Sequence, residues 1–282
     1  MNPIIQQWLK TYKIVTQQDQ DNALKEIIQK IALCGLWRAK FFEKAAFYGG
    51  TALRIFYGLD RFSEDLDFSL LQPDPSIQLT PYYHAIKKEC ELYGFDVVIT
   101  EKKKQEKTPI QSAFLKTNTI LNDLIITSDS HKQLKIKLEI DTLPPNLFET
   151  ETQYLLQPIE FFVKTYTIPN LFAGKMHAIL CRSWKTRVKG RDWYDLIFYI
   201  KNHYSLNLSH LHSRLYQSSH LDIATPLTPE KLKTLLHEKI DTVDFEQAKI
   251  DIQRFIKDPS RLDVWGKSFF NSLVDHIIMD DV

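Results

Sequence analysis

A chain of 282 residues with 44% hydrophobic and 25% charged residues can bury a substantial core and is too apolar for extensive disorder. Its formal charge of +1 excludes nucleic-acid affinity from overall charge, so any such affinity has to come from local clusters of Lys and Arg. Cys34, Cys90 and Cys181 are far apart and form no Cys-x-x-Cys pair, which excludes a disulfide framework or zinc ribbon and points to a reducing cytoplasm. No apolar run reaches membrane-spanning length, and Met1 to Gln7 lacks the basic-then-apolar pattern of a secretory signal, so no membrane association is expected.

In chain order, residues 3 to 46 are expected to be helical, from apolar positions such as Ile4, Ile5, Trp8 and Leu9, then Leu24, Ile27, Ile28 and Ile31. A glycine turn at Gly49-Gly50 follows, and Thr51 opens a short helix to Tyr57. Asp65 to Leu70 is expected as a strand, Gln72-Pro73-Asp74-Pro75 as a breaker, and Gln78 to Tyr93 as a helix ended by Gly94. Phe95 to Thr100 is rich in strand formers, and Lys102, Lys103, Lys104 and Lys107 mark a solvated basic loop. Ser112 to Asn122 and Gln133 to Asp141 are expected to be antiparallel strands, the second alternating Leu134, Ile136, Leu138 and Ile140 with Lys135, Lys137, Glu139 and Asp141.

Pro144-Pro145 breaks the sheet, and beyond Pro158 the composition turns helical. Helices are expected at Ile159 to Lys164, Asn170 to Trp184, Arg191 to Asn202, Leu208 to Gln217, Pro229 to Lys239, Asp244 to Phe255 and Val264 to Ile278. These elements imply an α+β protein: residues 1–160 form a mixed sheet flanked by helices, and 161–282 form a helical lobe that completes the cleft. His210, His212 and His220 lack a metal-ligand spacing and are expected at the surface or as caps.

Two constellations carry chemistry. In a strand from Asp65, side chains alternate, so Asp65 and Asp67 share one face while Leu66 and Phe68 share the other. Two adjacent carboxylates repel unless a cation lies between them, which suits Mg²⁺ or Mn²⁺. The glycines upstream let amides approach a phosphate, and the helix beginning at Thr51 favours an anion at its N-terminus. An Asp-x-Asp pair by itself also fits an exposed turn; its neighbourhood with Gly-Gly-Thr favours a nucleotide held by metal ions. Glu139 or Asp141 could supply a third carboxylate. In the second constellation, Lys175, Arg182, Lys185, Arg187, Lys189 and Arg191 precede Asp192 with no acidic residue among them. Lys175 and Arg182 lie two turns apart on one helix face, small Ala173, Gly174 and Ala178 permit close packing there, and Trp184 and Trp193 are available for stacking on bases or for the core.

Gly49-Gly50-Thr51-Ala52-Leu53 with Arg61-x-Ser63-x-Asp65-Leu66-Asp67-Phe68, followed by Ala173-x-Lys175-x-x-Ala178 and Lys189-x-Arg191-Asp192-x-x-Asp195-Leu196, resembles the AbiEii/AbiGii toxin family. That family, which includes MenT-type toxins, belongs to the DNA polymerase β-like nucleotidyltransferase superfamily, and the matching motifs span residues 47–196. The resemblance implies transfer of a nucleoside monophosphate from an NTP to an acceptor, most directly an RNA such as the 3′ end of a tRNA, with release of pyrophosphate. It implies phosphate contacts from Gly49, Gly50, Thr51 and Ser63, metal ligation by Asp65 and Asp67, and triphosphate contact by Lys175; the third carboxylate is less fixed by the motif, and Glu139 is preferred over Asp141 because it lies deeper in its strand. Asp192 would act as a base or orient Lys175. A cognate antitoxin resembling a winged-helix regulator is implied as partner. One departure is that Gly-Gly-Thr stands where many superfamily members have Gly-Ser, so Thr51 or backbone amides must replace a serine hydroxyl. Protein adenylylation and non-catalytic binding of NTP or RNA are the competing readings.

Overall fold

The computed structural model describes residues 2–101, 119–127, 133–145, 147–182, 188–222 and 224–280. Lys102, Lys103, Lys104 and Lys107, residues 112–118 of the first expected antiparallel strand, and Trp184, Lys185 and Arg187 lie outside these residues. The chain divides into two compact units. One comprises Met1–Tyr57, Phe62–Pro144 and Thr150–Thr165; the other comprises Gly58–Arg61, Pro145–Glu149 and Tyr166–Val282.

The first unit opens with α1 (Pro3–Leu9) and α2 (Gln17–Arg38). Thr16 starts α2 through a reciprocal cap: its hydroxyl accepts from the Asp19 amide at 3.1 Å, and the Asp19 carboxylate accepts from the Thr16 amide at 2.8 Å. After a 3₁₀ turn come β1 (Ala45–Tyr48), α3 (Gly49–Phe56), β2 (Asp65–Leu70), α4 (Thr80–Leu92), β3 (Asp96–Glu101), β4 (Thr119–Thr127), β5 (Gln133–Asp141), β6 (Thr150–Leu155) and β7 (Phe161–Tyr166). Among the described residues these strands form one seven-stranded sheet in the order β3-β4-β5-β2-β1-β7-β6. It is mixed: β2 runs parallel to β5 and β1 to β7, while β1/β2, β3/β4 and β4/β5 are antiparallel. The α+β expectation is met. Ile27, Ile28 and Ile31 of α2 join Phe47, Leu66, Phe68, Leu138 and Ile140 of the sheet in one buried core, where Phe68 packs on Phe47 at 5.2 Å and on Phe41 at 5.1 Å between ring centroids.

Several elements differ from expectation. Helix does not run through residue 46: it ends at Arg38, and Ala45 to Tyr48 form β1, a central strand buried on both faces and therefore without alternation. Ile159 to Lys164 is not helical, because Phe161, Phe162 and Val163 alternate buried, exposed, buried within β7. The edge strand β6 was not foreseen; Thr150 to Gln153 are polar because one side of an edge faces water. The expected helix Val264 to Ile278 is broken into α10 (Lys267–Leu273), a 3₁₀ turn and a final short strand.

The second unit contains α5 (Ile168–Cys181), α6 (Gly190–Lys201), β8 (Ser205–Leu206), α7 (Leu208–Gln217), α8 (Pro229–Thr242), α9 (Phe245–Gln253), α10 and β9 (Ile278–Met279), with β8 and β9 paired in parallel. Phe172 stacks on Tyr199 at 4.3 Å, and Trp193, completely buried, packs edge-on against Phe245 and Phe270 at 5.1 and 5.0 Å. Trp193 is therefore a core residue and not a stacking platform. Gly190 is required at the start of α6, since a Cβ there would collide with the Ala248 carbonyl of α9. His210 is also buried, lodged beside Phe148 and Tyr166, which corrects its expected surface position. Among the described residues no helix is long and apolar enough to cross a membrane.

Candidate active site

In the first unit the register of β2 and β5 assembles the carboxylates. Asp67 lies beside Glu139, Asp65 beside Lys137, and Asp141 beside Ser69. Leu66, Phe68, Leu138 and Ile140 are buried on the opposite face, so Asp65, Asp67, Lys137 and Glu139 project together from the other. Glu139 is thus the carboxylate adjacent to Asp67, and Asp141 is one pleat further along. Lys137, to which the sequence reading assigned no role, forms an ion pair with Glu139. Its signal was its place on the same polar face of β5, two residues from Glu139.

Helix α3 begins at Gly49, two residues before the expected start at Thr51. Gly49 has φ +83°, a left-handed conformation that other residues adopt only with strain, and a Cβ there would strike the Asp67 carboxylate, whose Cγ would lie 3.1 Å away. The Asp67 carboxylate is therefore seated against the first residue of α3. First-turn N–H groups of a helix have no intrahelical acceptor, so this end is an electropositive surface next to that carboxylate. Thr51 is fully buried and its hydroxyl donates to the main-chain carbonyl of Asp65. Its side chain pins α3 to the start of β2. Ser63 precedes β2, and its carbonyl accepts from Gln29 Nε2 at 3.1 Å.

Among the described residues, no three His, Cys, Asp or Glu side chains close on a point where they would hold a metal by themselves. Mg²⁺ does not need such a cage: it is held by one or two carboxylates, with substrate phosphates and water completing its shell. The hard oxygen donors of Asp65, Asp67 and Glu139, together on one strand face, fit a divalent cation by their chemistry.

In the second unit, α5 and α6 face each other through buried charges. Lys175 Nζ lies 2.8 Å from Asp192 Oδ1 and 2.8 Å from Asp195 Oδ2, while Arg182 donates to Asp192 Oδ2. The two-turn spacing of Lys175 and Arg182 is used to grip one carboxylate from both sides. Burial alone would raise the Asp192 carboxyl, but Lys175 and Arg182 outweigh it and hold it well below the usual carboxylate range. Asp195 is lowered too: burial opposes ionisation, and Arg61 and Lys175 overcome it. Arg61, completely enclosed, donates from Nε to Asp195 Oδ1 and from Nη2 to Oδ2, both at 2.6 Å. The partner of Arg61 lies 134 residues away, a pairing that spacing within its motif cannot reveal.

Residues 31–268 match the family described as nucleotidyl transferase AbiEii toxin, type IV TA system. The chain belongs to that family. Two solved structures resemble it: a candidate nucleotidyltransferase from H. pylori, 23% identical over 93% of this chain and 95% of that one with a TM-score of 0.50, and JHP933 from Helicobacter pylori, 22% identical over 93% and 92% with a TM-score of 0.52. At these identities they speak for the fold alone. No curated protein sequence matches this chain. As an AbiEii member the protein is a nucleotidyltransferase using an NTP, and the toxin-antitoxin assignment implies an antitoxin partner.

Two consequences for this AbiEii chain follow from the α5/α6 geometry. Gly174 was expected to permit close packing beside Lys175, yet a Cβ there would meet nothing within 4 Å. Gly174→Ala should therefore raise stability by about 0.5–1 kcal/mol through lower unfolded-state entropy and better helix propensity, seen as a higher urea midpoint. The depressed carboxyls also set an acid limit. Above about pH 5, Asp192 and Asp195 are ionised whether the chain is folded or unfolded; below about pH 4 the unfolded chain takes up protons first and stability falls as pH drops toward the lower folded values. Urea midpoints should start to fall below about pH 6.5, where the unfolded chain protonates His177, whose imidazole burial keeps neutral in the folded chain, and should fall further toward pH 3, this second limb less steeply in Asp192→Asn.

Proposed function

We propose that this AbiEii chain transfers a nucleoside monophosphate from an NTP to the 3′ end of an RNA, a tRNA in the first instance, releasing pyrophosphate in a two-metal reaction with Mg²⁺ or Mn²⁺. The observation that carries the reading is the register placing Glu139 beside Asp67, with Asp65 one pleat away and the first turn of α3 against the Asp67 carboxylate. Asp65, Asp67 and Glu139 would hold the metals. A divalent cation held by these carboxylates would supply charge that lowers the pKa of an attacking hydroxyl and offsets charge on the departing pyrophosphate. Gly49 and Gly50 bring main-chain N–H groups to the phosphates without side-chain bulk. Lys175 supplies a point charge to the triphosphate, and Asp192 orients it. A carboxyl held so far below neutrality is a poor proton acceptor at pH 7, which favours orientation over the role of base.

An RNA acceptor is supported by the cations Lys175, Arg182, Lys185, Arg187, Lys189 and Arg191, uninterrupted by any carboxylate. The reaction is assigned to the cytoplasm, in keeping with free Cys34, Cys90 and Cys181, and the antitoxin is assigned a winged-helix regulator from the family resemblance. Incubating the purified chain with each α-labelled NTP, Mg²⁺ and total cell RNA and protein tests the acceptor. Label on RNA, removed by trimming the 3′ end, is the expected outcome; label on protein alone would replace it with protein adenylylation, and no label with any NTP would leave a non-catalytic binding module.

A further inference from the structure

We infer that Arg61 and Asp195 are positioning residues for Lys175, fixing the place of the group that meets the triphosphate. The inference rests on the reading of Lys175 as a triphosphate contact. Asp195 Oδ2 is shared: it accepts from Arg61 at 2.6 Å and lies 2.8 Å from Lys175. Lys175 has two anionic partners, Asp192 and Asp195, and left to these alone its charge would be overcompensated. Arg61 and Arg182, one on each aspartate, reverse that balance: three cations face two anions, so the network keeps a net positive charge to offer an anion.

A guanidinium held through Nε and Nη2 fixes the plane of the Asp195 carboxylate, and with it the direction from which Oδ2 meets Lys175. Arg61 is itself anchored, because the neighbouring Asp60 accepts from the Tyr194 hydroxyl at 2.7 Å and from Arg261, while Tyr194 adjoins Asp195 on α6. Lys175 retains 13% side-chain exposure while Arg61 and Asp195 have 2% and 0%, so Lys175 is the member of this trio that can reach a ligand.

The pair could serve only the fold, and the test separates the two roles. Replacing both members by apolar residues, Arg61→Met with Asp195→Leu, removes the ion pair without stranding a buried charge, so the thermal midpoint should stay near that of the wild type. Affinity for the α,β-methylene analogues of the four NTPs, measured calorimetrically with Mn²⁺, should nevertheless fall about tenfold for the analogue that binds. Arg61→Lys, which keeps the charge and loses the fork, should show a smaller fall. Lys175→Met should cost less affinity in the double-variant background than in the wild type, the coupling expected of groups that act together. Wild-type affinity in the double variant, or an equal cost of Lys175→Met in both backgrounds, would overturn the positioning role. If Lys175→Met leaves analogue affinity unchanged in the wild type, the triphosphate reading fails and the inference falls with it.

Discussion

Asp67→Asn is expected to reduce nucleotidyl transfer by about 10³-fold or more, equivalent to some 4 kcal/mol of lost transition-state stabilisation, while leaving the fold intact. The amide is nearly isosteric, so it still fits against Gly49, where a larger side chain would not. What it loses is one anionic oxygen from the strand face shared with Asp65 and Glu139. A hard divalent cation needs that charge, and an amide oxygen is a weaker donor. Asp65→Ala should behave alike in activity. Initial rates of label transfer at saturating Mg²⁺, paired with thermal melts, check this: a fall of less than tenfold in a folded Asp67→Asn protein would remove Asp67 from the reaction.

Asp192→Ala should lower stability strongly. The carboxylate is buried and accepts from both Lys175 and Arg182, so its removal leaves two cations facing a cavity, a class of change that costs about 3–5 kcal/mol. Asp192→Asn keeps the volume and part of the hydrogen bonding, and should cost less. In both variants Lys175 retains Asp195 as a partner, so NTP affinity should weaken but persist. Urea denaturation gives the first quantity and calorimetric titration with an NTP analogue the second. An Asp192→Ala midpoint equal to that of the wild type would show that the charges rearrange into solvent.

How much of this could be read beforehand depended on where the controlling interactions lie. Strand β5 was legible residue by residue because Leu134, Ile136, Leu138 and Ile140 alternate strictly with charged neighbours. Strand β1 was not, because Ala45, Ala46 and Phe47 are buried on both faces and show no period. The glycine turn was recognised, but its left-handed residue is the first of α3 and not a linker before it, so the helix starts two residues early. Thr51 illustrates a similar limit: its hydroxyl suits a phosphate, and only the packing of α3 on β2 shows it spent on the Asp65 carbonyl. Within the candidate site, Asp65 and Asp67 share a face by alternation alone, whereas the nearness of Glu139 depends on a strand register that no local pattern encodes. The α5/α6 charges divide the same way. The two-turn spacing of Lys175 and Arg182 was visible, while the long-range fork from Arg61 to Asp195 belongs to tertiary structure.

Transfer of a nucleoside monophosphate at the carboxylate face of β2 and β5 leaves a signature in isotope position. NTP labelled at the α-phosphate and, separately, at the γ-phosphate should be incubated with purified wild-type and Asp67→Asn chains, total RNA and Mg²⁺. The predicted result is acceptor label from the α-phosphate only, with one pyrophosphate released per label, abolished by Asp67→Asn and by chelation of the metal. Acceptor label from the γ-phosphate, or α-label transfer undiminished in Asp67→Asn, would contradict it.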